Sequence, residues 1–462
     1  MNYSPITETV RTRICAELGS ECALHAPEAL APYGRDASEL CHTPELVILP
    51  KTTEQVSRLL RLANELRFPV TPRGAGTGLS GGCLTPFGGV VLSLERMDRI
   101  LAIDADNLVA EVEPGVITQT LRDAAKAKGL FYPPDPAGMD KSTIGGNAAT
   151  NAGGPACLKY GVTRDYVLGL EAVLPTGEVI RAGTRTRKGV VGYDLARLIV
   201  GSEGTLGIIT GLTLKLIPHP KAVAGMAAVF PSMATAMRAV SEIMRRGFLP
   251  SALEFMDHKC IGLVRDLLPF PAPEGQAAML VIESDGAAGQ VGGDIEAMAA
   301  VCSELGATGI LRARDQAEAG RVWAARRAVS LRIHDSAPLY MSEDIVVPLG
   351  NIAELAAELP GFEERFGLKV YAFGHAGDGN MHLNVTAPDK SHKPRAMEGA
   401  RAILARVLEL GGTISGEHGI GEAKMPFVPM ELSPASMRLQ KGIKRLFDPN
   451  LILNPGKIFE DL

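Results

Sequence analysis

The run TPRGAGTGLSGGCLTP, residues 71–86, carries five glycines between positions 74 and 82. Glycines in that density let successive backbone N–H groups turn toward one point, a nest able to hold a diphosphate. A formal GxGxxG is present at Gly76, Gly78 and Gly81, but a dinucleotide fingerprint needs a helix to begin at once. Here Cys83–Gly89 supply Pro86 and two more glycines instead. The flanks FPVTP (68–72) and GGVVLSL (88–94) read as strands, which argues for a fixed element over a mobile loop. Two further stretches are similar in kind, STIGGNAATNAGG (142–154) and GSEGTLGII (201–209). Three glycine-rich turns in one region suit a long, phosphate-bearing cofactor better than three idle loops.

Outward from this run, strand-like segments such as LVAEVEPG, LEAVLPTGEVI and LTLKLIP alternate with helical ones as far as His219. The clearest helix is TTEQVSRLLRLANELRF (52–68), where Val56, Leu59, Leu60, Ala63 and Leu66 make one apolar stripe behind a threonine cap. HPKAV (219–223) reads as a boundary. Beyond it glycine thins and long amphipathic segments follow, among them KPRAMEGARAILARVLELGG (393–412). The tail after Gly421 ends in FDPNLILNPGKIF (447–459), whose Asn-Pro-Gly turn reads as placed.

A second cluster lies in FGHAGDGNMHLNV (373–385). KVYAF and MHLNV alternate like strands and HAGDGN is turn chemistry, so a hairpin is expected. If Ala376–Met381 form the connection, His375 and His382 face each other directly, a geometry suited to two imidazoles closing on one metal ion. Asn384 shares their face and is counted with the catalytic residues. A third ligand is expected from GGTISGEHGIGEAKMPF (411–427), where Glu417 and His418 stand between Gly416 and Gly419. Adjacent side chains diverge, so one of the two binds metal and the other stands beside it.

The chain has 462 residues, a formal net charge of −5 and a pI near 6.1. It can hold two or three domains with real cores, and it carries no electrostatic footprint for nucleic acid. The start MNYSPITETVR shows neither a basic nor an apolar region, and no apolar run approaches the ~18 residues of a membrane span, so a cytoplasmic protein is expected. The seven cysteines are scattered with no CxxC. That pattern points to reduced thiols, and away from an iron–sulfur cluster, a haem attachment or a disulfide framework.

PRGAGTGLSGG, PPDP, STIGGNAATNAGG, KYGVTRDYVLGLEAVLPTGE, GSEGTLGIIT, GHAGDGNMH, SGEHGIGEAK and LNPGK occur in the order seen in the FAD-linked D-2-hydroxyacid dehydrogenases. That group includes D-lactate dehydrogenase, D-2-hydroxyglutarate dehydrogenase and the flavoprotein subunit of glycolate oxidase. The resemblance covers nearly the whole chain. It implies an α+β fold, with a vanillyl-alcohol-oxidase (PCMH)-type FAD domain of two α+β lobes (1–220). It also implies an inserted substrate and metal domain of antiparallel sheet and helices (221–420), and a C-terminal segment returning to the FAD domain (421–462). On the same resemblance Pro72, Arg73, Gly74, Ala75, Gly76, Thr77, Gly78 and Ser80 form the diphosphate and ribityl loop. Pro134, Asp135, Ser142, Gly145, Gly146, Asn147, Asn151 and Gly153 form a second wall around the flavin. Glu203, Gly204 and Ile209 make adenine-side and ring contacts, and Asn454 closes on the isoalloxazine. No histidine stands in RGAGTG, so FAD is expected to be held noncovalently.

The resemblance further implies that His375, His382 and Glu417 bind a divalent metal, with zinc expected and manganese or iron as alternatives for the same ligands. His418 resembles the base that takes the hydroxyl proton while hydride leaves C2 for flavin N5. Arg326, three residues after Trp323 in RVWAARRAV, resembles the arginine that grips the substrate carboxylate, for which a guanidinium fork is suited. In the hydroxyglutarate-specific branch a lysine stands two residues before the aspartate of a strand ending in proline. Here that strand reads YMSEDIVVP, with Ser342 in the lysine's place before Asp344. Serine cannot neutralise a second carboxylate, so D-lactate is preferred over glycolate or a longer 2-hydroxy acid. The dicarboxylate is disfavoured, although Arg327 or Arg332 can compensate.

Two other classes are weighed against this one. A metal hydrolase needs only two histidines and a glutamate, but leaves the three glycine-rich turns unexplained. A flavin-binding electron-transfer subunit has no substrate chemistry of its own. The expected electron acceptor is external: a quinone, a cytochrome, an electron-transfer flavoprotein or an iron–sulfur subunit. Peripheral membrane contact through that partner and a homodimer are further expectations.

Overall fold

The apolar stripe of residues 52–68 forms the helix Thr53–Leu66. The Thr52 hydroxyl accepts from the Gln55 amide at 3.3 Å, satisfying one of the orphan donors at the helix start. Val56, Leu59, Leu60 and Ala63 are fully buried. They pack with Leu46, Ile48, Phe68, Val70, Val90 and Leu92 in one core cluster. Each buried valine, leucine, isoleucine or phenylalanine of the cluster contributes about 1.5–3 kcal/mol by leaving water. The computed structural model describes residues 3–460, apart from the side chain of Gln316. In it, Cα packing divides the chain into a unit of residues 1–153, 162–219 and 417–462 and a second of residues 154–161 and 220–416.

The first unit opens with strands β1 (Ala23–Leu24), β2 (Leu46–Ile48), β3 (Val70–Arg73) and β4 (Val90–Ser93), ordered β1-β2-β4-β3 in one sheet. Strands β3 and β4 run parallel, with Val70 beside Val90 and Arg73 beside Ser93. Parallel neighbours usually need a helical crossover. The glycine-rich run takes that place, leaving β3 at Arg73 and wandering back to the start of β4. Strands β5 (Ile100–Asp104), β6 (Val109–Val112), β7 (Leu130–Phe131), β8 (Val167–Val173), β9 (Val179–Gly183), β10 (Ile208–Lys215) and β11 (Ile217–Pro218) follow. Five of them form an antiparallel sheet in the order β5-β6-β10-β8-β9, while β7 pairs with β11.

The C-terminal tail is built into the first unit. Leu453 lies in a parallel bridge with Val70, and the Asn454 amide donates to the Val70 carbonyl at 2.8 Å. Ahead of it, the buried Lys444 ammonium donates to the Thr205 carbonyl (2.8 Å), the Leu453 carbonyl (2.7 Å) and Asp448 (2.6 Å). All three ammonium donors are therefore used, the condition under which a buried cation is tolerated.

The second unit holds β12 (Ala222–Phe230), β13 (Ala252–Met256), β14 (Ala278–Gly286), β15 (Gly309–Arg312), β16 (Leu339–Val346), β17 (Lys369–His375) and β18 (Asn380–Ala387). They form one antiparallel sheet in the order β15-β12-β14-β13-β17-β18-β16. Helix Gln316–His334 covers one face, with Val322, Ala325, Val329 and Ile333 packed on Met256, Met279, Val281, Tyr371 and Phe373. Spacings of three and four residues put Val322, Arg326 and Val329 on one side of that helix. Packing of the valines thus carries Arg326 to the sheet. Among the described residues no helix is long and apolar enough to cross a membrane.

Two sequence expectations are corrected here. STIGGNAAT is not a turn: Ile144–Thr150 is a short helix, capped by the Thr143 hydroxyl on the Gly146 amide at 3.2 Å. The hairpin loop is also shorter than Ala376–Met381. His375 pairs with Asn380 and Phe373 with His382, so the loop is Ala376–Gly379 and the histidines are diagonal neighbours. Gly379 explains the shift. Its φ of +87° suits the tight turn, and a Cβ there would lie 2.1 Å from the Val347 carbonyl oxygen.

Candidate functional site

In the first unit the glycine-rich run lines a cleft. Of the expected cofactor residues, Pro72, Arg73, Gly74, Ala75, Gly76, Thr77, Gly78, Ser80, Ser142, Gly145, Gly146, Asn147, Gly153, Glu203, Gly204 and Ile209 lie on its wall. Gly74 shows why side chains are excluded: a Cβ there would sit 2.4 Å from Thr143 Oγ1, against the cap of the facing helix. The start of helix Ile144–Thr150 thus meets the glycine run. That pairing of exposed amides with a helix N-terminus is suited to phosphate oxygens, and the residues fit a diphosphate-bearing flavin. Sequence reading missed Asp36, Cys83, Pro114 and Thr143, which also line the cleft. Asp36 accepts the Gly81 amide at 2.9 Å and so shapes the run from outside it.

Four expected cofactor residues are placed differently. The Pro134 carbonyl accepts from Arg122 at 3.0 Å, and Pro134 and Asp135 are not on the cleft wall, although Pro136 and Ala137 are. Asn151 has a left-handed φ of 53°, and its Oδ1 accepts the Arg164 amide at 2.9 Å. Asn454, 1% exposed, donates to the carbonyls of Gly82 (2.9 Å) and Glu203 (2.7 Å). It ties the tail to two segments of the wall and does not itself line the cleft.

Glu417 and His418 line the same cleft. Their loop is held from below. Glu203 takes the Ile420 amide on Oε1 at 2.8 Å and the Gly421 amide on Oε2 at 2.7 Å. Ser80 donates to the His418 carbonyl at 3.0 Å. Burial pushes the Glu203 carboxyl above its ordinary range, and the two amides pull it part of the way back. Glu203 therefore acts on the position of His418 as well as on the cleft wall.

On the helix-covered face of the second unit the two histidines meet. Their Nε2 atoms are 3.4 Å apart, with the rings nearly perpendicular. Two nitrogens each ~2.05 Å from a tetrahedral zinc would be separated by about 3.3 Å. Each ring is backed by a buried carboxylate on its other nitrogen: His375 Nδ1 is 2.6 Å from Glu254 Oε1, and His382 Nδ1 is 3.4 Å from Asp344 Oδ1. For His375 the short contact leaves the Nε2 lone pair for a metal, Asp344 lies at ion-pair distance from His382, and the residues fit a divalent cation. Asp344 is itself fixed by Asn380 (2.7 Å) and the Gly416 amide (2.9 Å). Sequence reading used Asp344 only to set register and missed Glu254 altogether. The available signal was a carboxylate inside the apolar strand ALEFM, since buried charges require partners.

Arg326 is buried on the same face, with Nη2 2.6 Å from Glu254 Oε2 and its guanidinium 4.6 Å from the centre of the Phe373 ring. Burial alone would push the Glu254 carboxyl up, but His375 and Arg326 outweigh it and hold the group below the usual glutamate range. Arg326 Nε and Asn384 Oδ1 are buried with no hydrogen-bond partner among the described residues. Each orphan costs about 1–3 kcal/mol unless a ligand satisfies it. Asn384 is paired with Ser342 across β16 and β18, two residue pairs from Asp344 and His382, so all four share one face.

Comparison with known proteins places this geometry in context. Residues 44–183 match the family model described as FAD binding domain, and residues 219–458 match FAD linked oxidases, C-terminal domain. The chain is 40% identical over 457 residues to glycolate oxidase subunit GlcD of Bacillus subtilis (strain 168), covering 98% of this chain and 97% of that protein. It is 40% identical over 425 residues to D-lactate dehydrogenase of Anaerostipes hadrus, covering 90% of this chain and 89% of that one. Among solved structures, p-cresol methylhydroxylase with substrate bound superposes with a TM-score of 0.82 at 20% identity, covering 97% of this chain and 96% of that one. The 4-ethylphenol oxidase of Gulosibacter chungangensis gives 0.79 at 19% identity, covering 97% and 96%. At that identity the likeness is of fold, the vanillyl-alcohol-oxidase (PCMH) type.

Proposed function

The chain belongs to the FAD-linked oxidases, as an FAD-dependent oxidoreductase of the D-lactate dehydrogenase and glycolate oxidase type, and from that premise we propose that it oxidises a D-2-hydroxy acid, with D-lactate to pyruvate the preferred reaction. The observation that carries the proposal is the 3.4 Å approach of His375 Nε2 to His382 Nε2, each ring backed by a buried carboxylate. A 2-hydroxy acid offers a hydroxyl and a carboxylate oxygen in chelating geometry, which is what a two-histidine, one-carboxylate cation site takes. In this reading His375, His382 and Glu417 hold the cation. When bound, the cation acidifies the substrate hydroxyl and noncovalent FAD accepts the hydride.

The remaining work falls to side chains. Arg326 binds the C1 carboxylate through its unsatisfied Nε edge, fixing which face of C2 carries the hydrogen. Asn384, whose buried Oδ1 has no partner among the described residues, stands on the same face and orients the substrate. The His418 imidazole takes the hydroxyl proton as C2 is oxidised. Ser342 leaves the far end of the substrate without a cation, in keeping with a monocarboxylate. Electrons then leave to an external acceptor.

The test is anaerobic reduction of the bound flavin by a panel of D- and L-2-hydroxy acids. Bleaching by D-lactate and not L-lactate is expected; no bleaching by any 2-hydroxy acid would leave a flavin-binding subunit without substrate chemistry. Acid precipitation should give a colourless pellet and a yellow supernatant, and yellow retained in the pellet would mean a covalent link.

A further inference from the structure

Glu254, the buried carboxylate behind His375, also reaches Arg326. It is 0% exposed, near the middle of β13, and its cross-strand partner in β17 is His375 itself. Oε1 lies 2.6 Å from His375 Nδ1 and Oε2 lies 2.6 Å from Arg326 Nη2. We infer that Glu254 is a shared positioning residue: one oxygen fixes the proton of His375 on Nδ1 and frees Nε2 for a cation, while the other holds the guanidinium that grips the substrate carboxylate. The inference rests on the cation site proposed above.

Two features of the geometry carry this beyond a structural ion pair. The first is that both contacts come from acceptor oxygens of one carboxylate, and a carboxylate is the only side-chain group with two anionic acceptors at that spacing. The second is that the ring is held edge-on. His375 stands nearly perpendicular to His382, and rotation about its Cβ–Cγ bond would carry Nε2 away from its partner. A hydrogen bond at Nδ1 removes that rotation and selects the tautomer at the same time.

Sharing makes a specific forecast about an amide. In Glu254→Gln one oxygen becomes an NH2 donor. Arg326 can only donate, so it claims the remaining oxygen, and the NH2 is left facing His375 Nδ1. Nδ1 must then accept, the ring proton moves to Nε2, and the cation loses a ligand. Removing the arginine as well should reverse this. In Glu254→Gln/Arg326→Met the amide oxygen is free to turn to His375, and the neutral pair leaves no unpaired buried charge.

The experiment measures zinc content and zinc affinity, by competition with a chromophoric chelator, for holoenzyme preparations of the wild type, E254Q, E254Q/R326M and H382A. Flavin absorbance and melting temperature serve as fold controls. E254Q should bind zinc about 10–100-fold more weakly, the range for loss of a group that orients a ligand. E254Q/R326M should recover to within a few-fold of wild type, while its KM for D-lactate stays raised. If E254Q does not fold, the double variant alone decides: zinc retained with a raised KM supports the shared role, and zinc lost overturns it. Wild-type zinc affinity in a folded E254Q overturns it as well. H382A separates the two levels of the argument. Zinc lost in H382A but kept in E254Q removes only the role of Glu254, whereas zinc affinity unchanged in both removes the cation site itself.

Discussion

The Nε2 atoms of His375 and His382 stand 3.4 Å apart on a sheet face that is otherwise covered by a helix. In the function proposed above a divalent cation lies between them. Chelation, or His382→Ala, should therefore abolish D-lactate oxidation. The flavin cleft belongs to the other unit, so the yellow colour should persist in both cases. The loss should exceed the ~10–100-fold typical of changes to groups that only orient a ligand. Elemental analysis alongside the rate decides it, and full activity in metal-free protein would sink the cation site.

Glu203 joins two parts of the first unit that are far apart in sequence, since its carboxylate receives the amides of Ile420 and Gly421. Glu203→Gln replaces one of those acceptors by a donor, leaving one buried amide unsatisfied at a cost of about 1–3 kcal/mol. The loop that carries His418 should loosen. Hydrogen exchange at residues 417–421 should quicken in the holoenzyme, and kcat for D-lactate should fall by roughly ten-fold, equivalent to ~1.4 kcal/mol. Unchanged exchange at these amides would show that the clamp does not govern the loop.

The glycine run, the helix Thr53–Leu66 and the paired strands of the histidine hairpin were all legible because each is a local pattern: nest-forming glycines, a 3.6-residue stripe, alternation around a turn. What escaped was set by distant partners. The register of the hairpin depends on Gly379 fitting under the Val347 carbonyl, a contact across the sheet. The partners of Glu254 escaped for a similar reason, because they lie 121 and 72 positions along the chain. Asn454 reads as a cofactor residue in sequence; its NH2 donates to the Gly82 and Glu203 carbonyls, a tie to distant segments that sequence alone does not show.

Lys457 gives a pH prediction. Its ammonium is 1% exposed and donates to the Leu84 carbonyl at 2.9 Å, and burial lowers its pKa from the ordinary 10.5 to about 8. Between these values the unfolded chain binds the proton and the folded one does not, so stability should rise as pH increases through that window. Below pH 8 both states are protonated and the burial cost is present in full. Lys457→Met removes the titration. The melting temperature of the wild type relative to the variant should therefore climb between pH 8 and pH 10, and a difference that stays flat would show that the ammonium is not penalised by its surroundings.

Ser342 sits opposite Asn384 in the β16–β18 register, two residues from Asp344 and on the face that carries His382. If it faces the far end of the substrate, Ser342→Lys places an ammonium where a second carboxylate can reach it, and imposes an unpaired charge beside the methyl of lactate. The two effects act in opposite directions on the two acids, each by about 1–3 kcal/mol. The ratio of kcat/KM for D-2-hydroxyglutarate over D-lactate should then rise by roughly ten-fold or more. Arg326→Ala should harm both acids alike, because both present the same C1 carboxylate to the guanidinium. The readout is kcat/KM for each acid with the wild type and both variants at saturating FAD and metal. An unchanged ratio in a folded S342K protein would mean that Ser342 does not line the pocket, and the preference for a monocarboxylate would lose its main support.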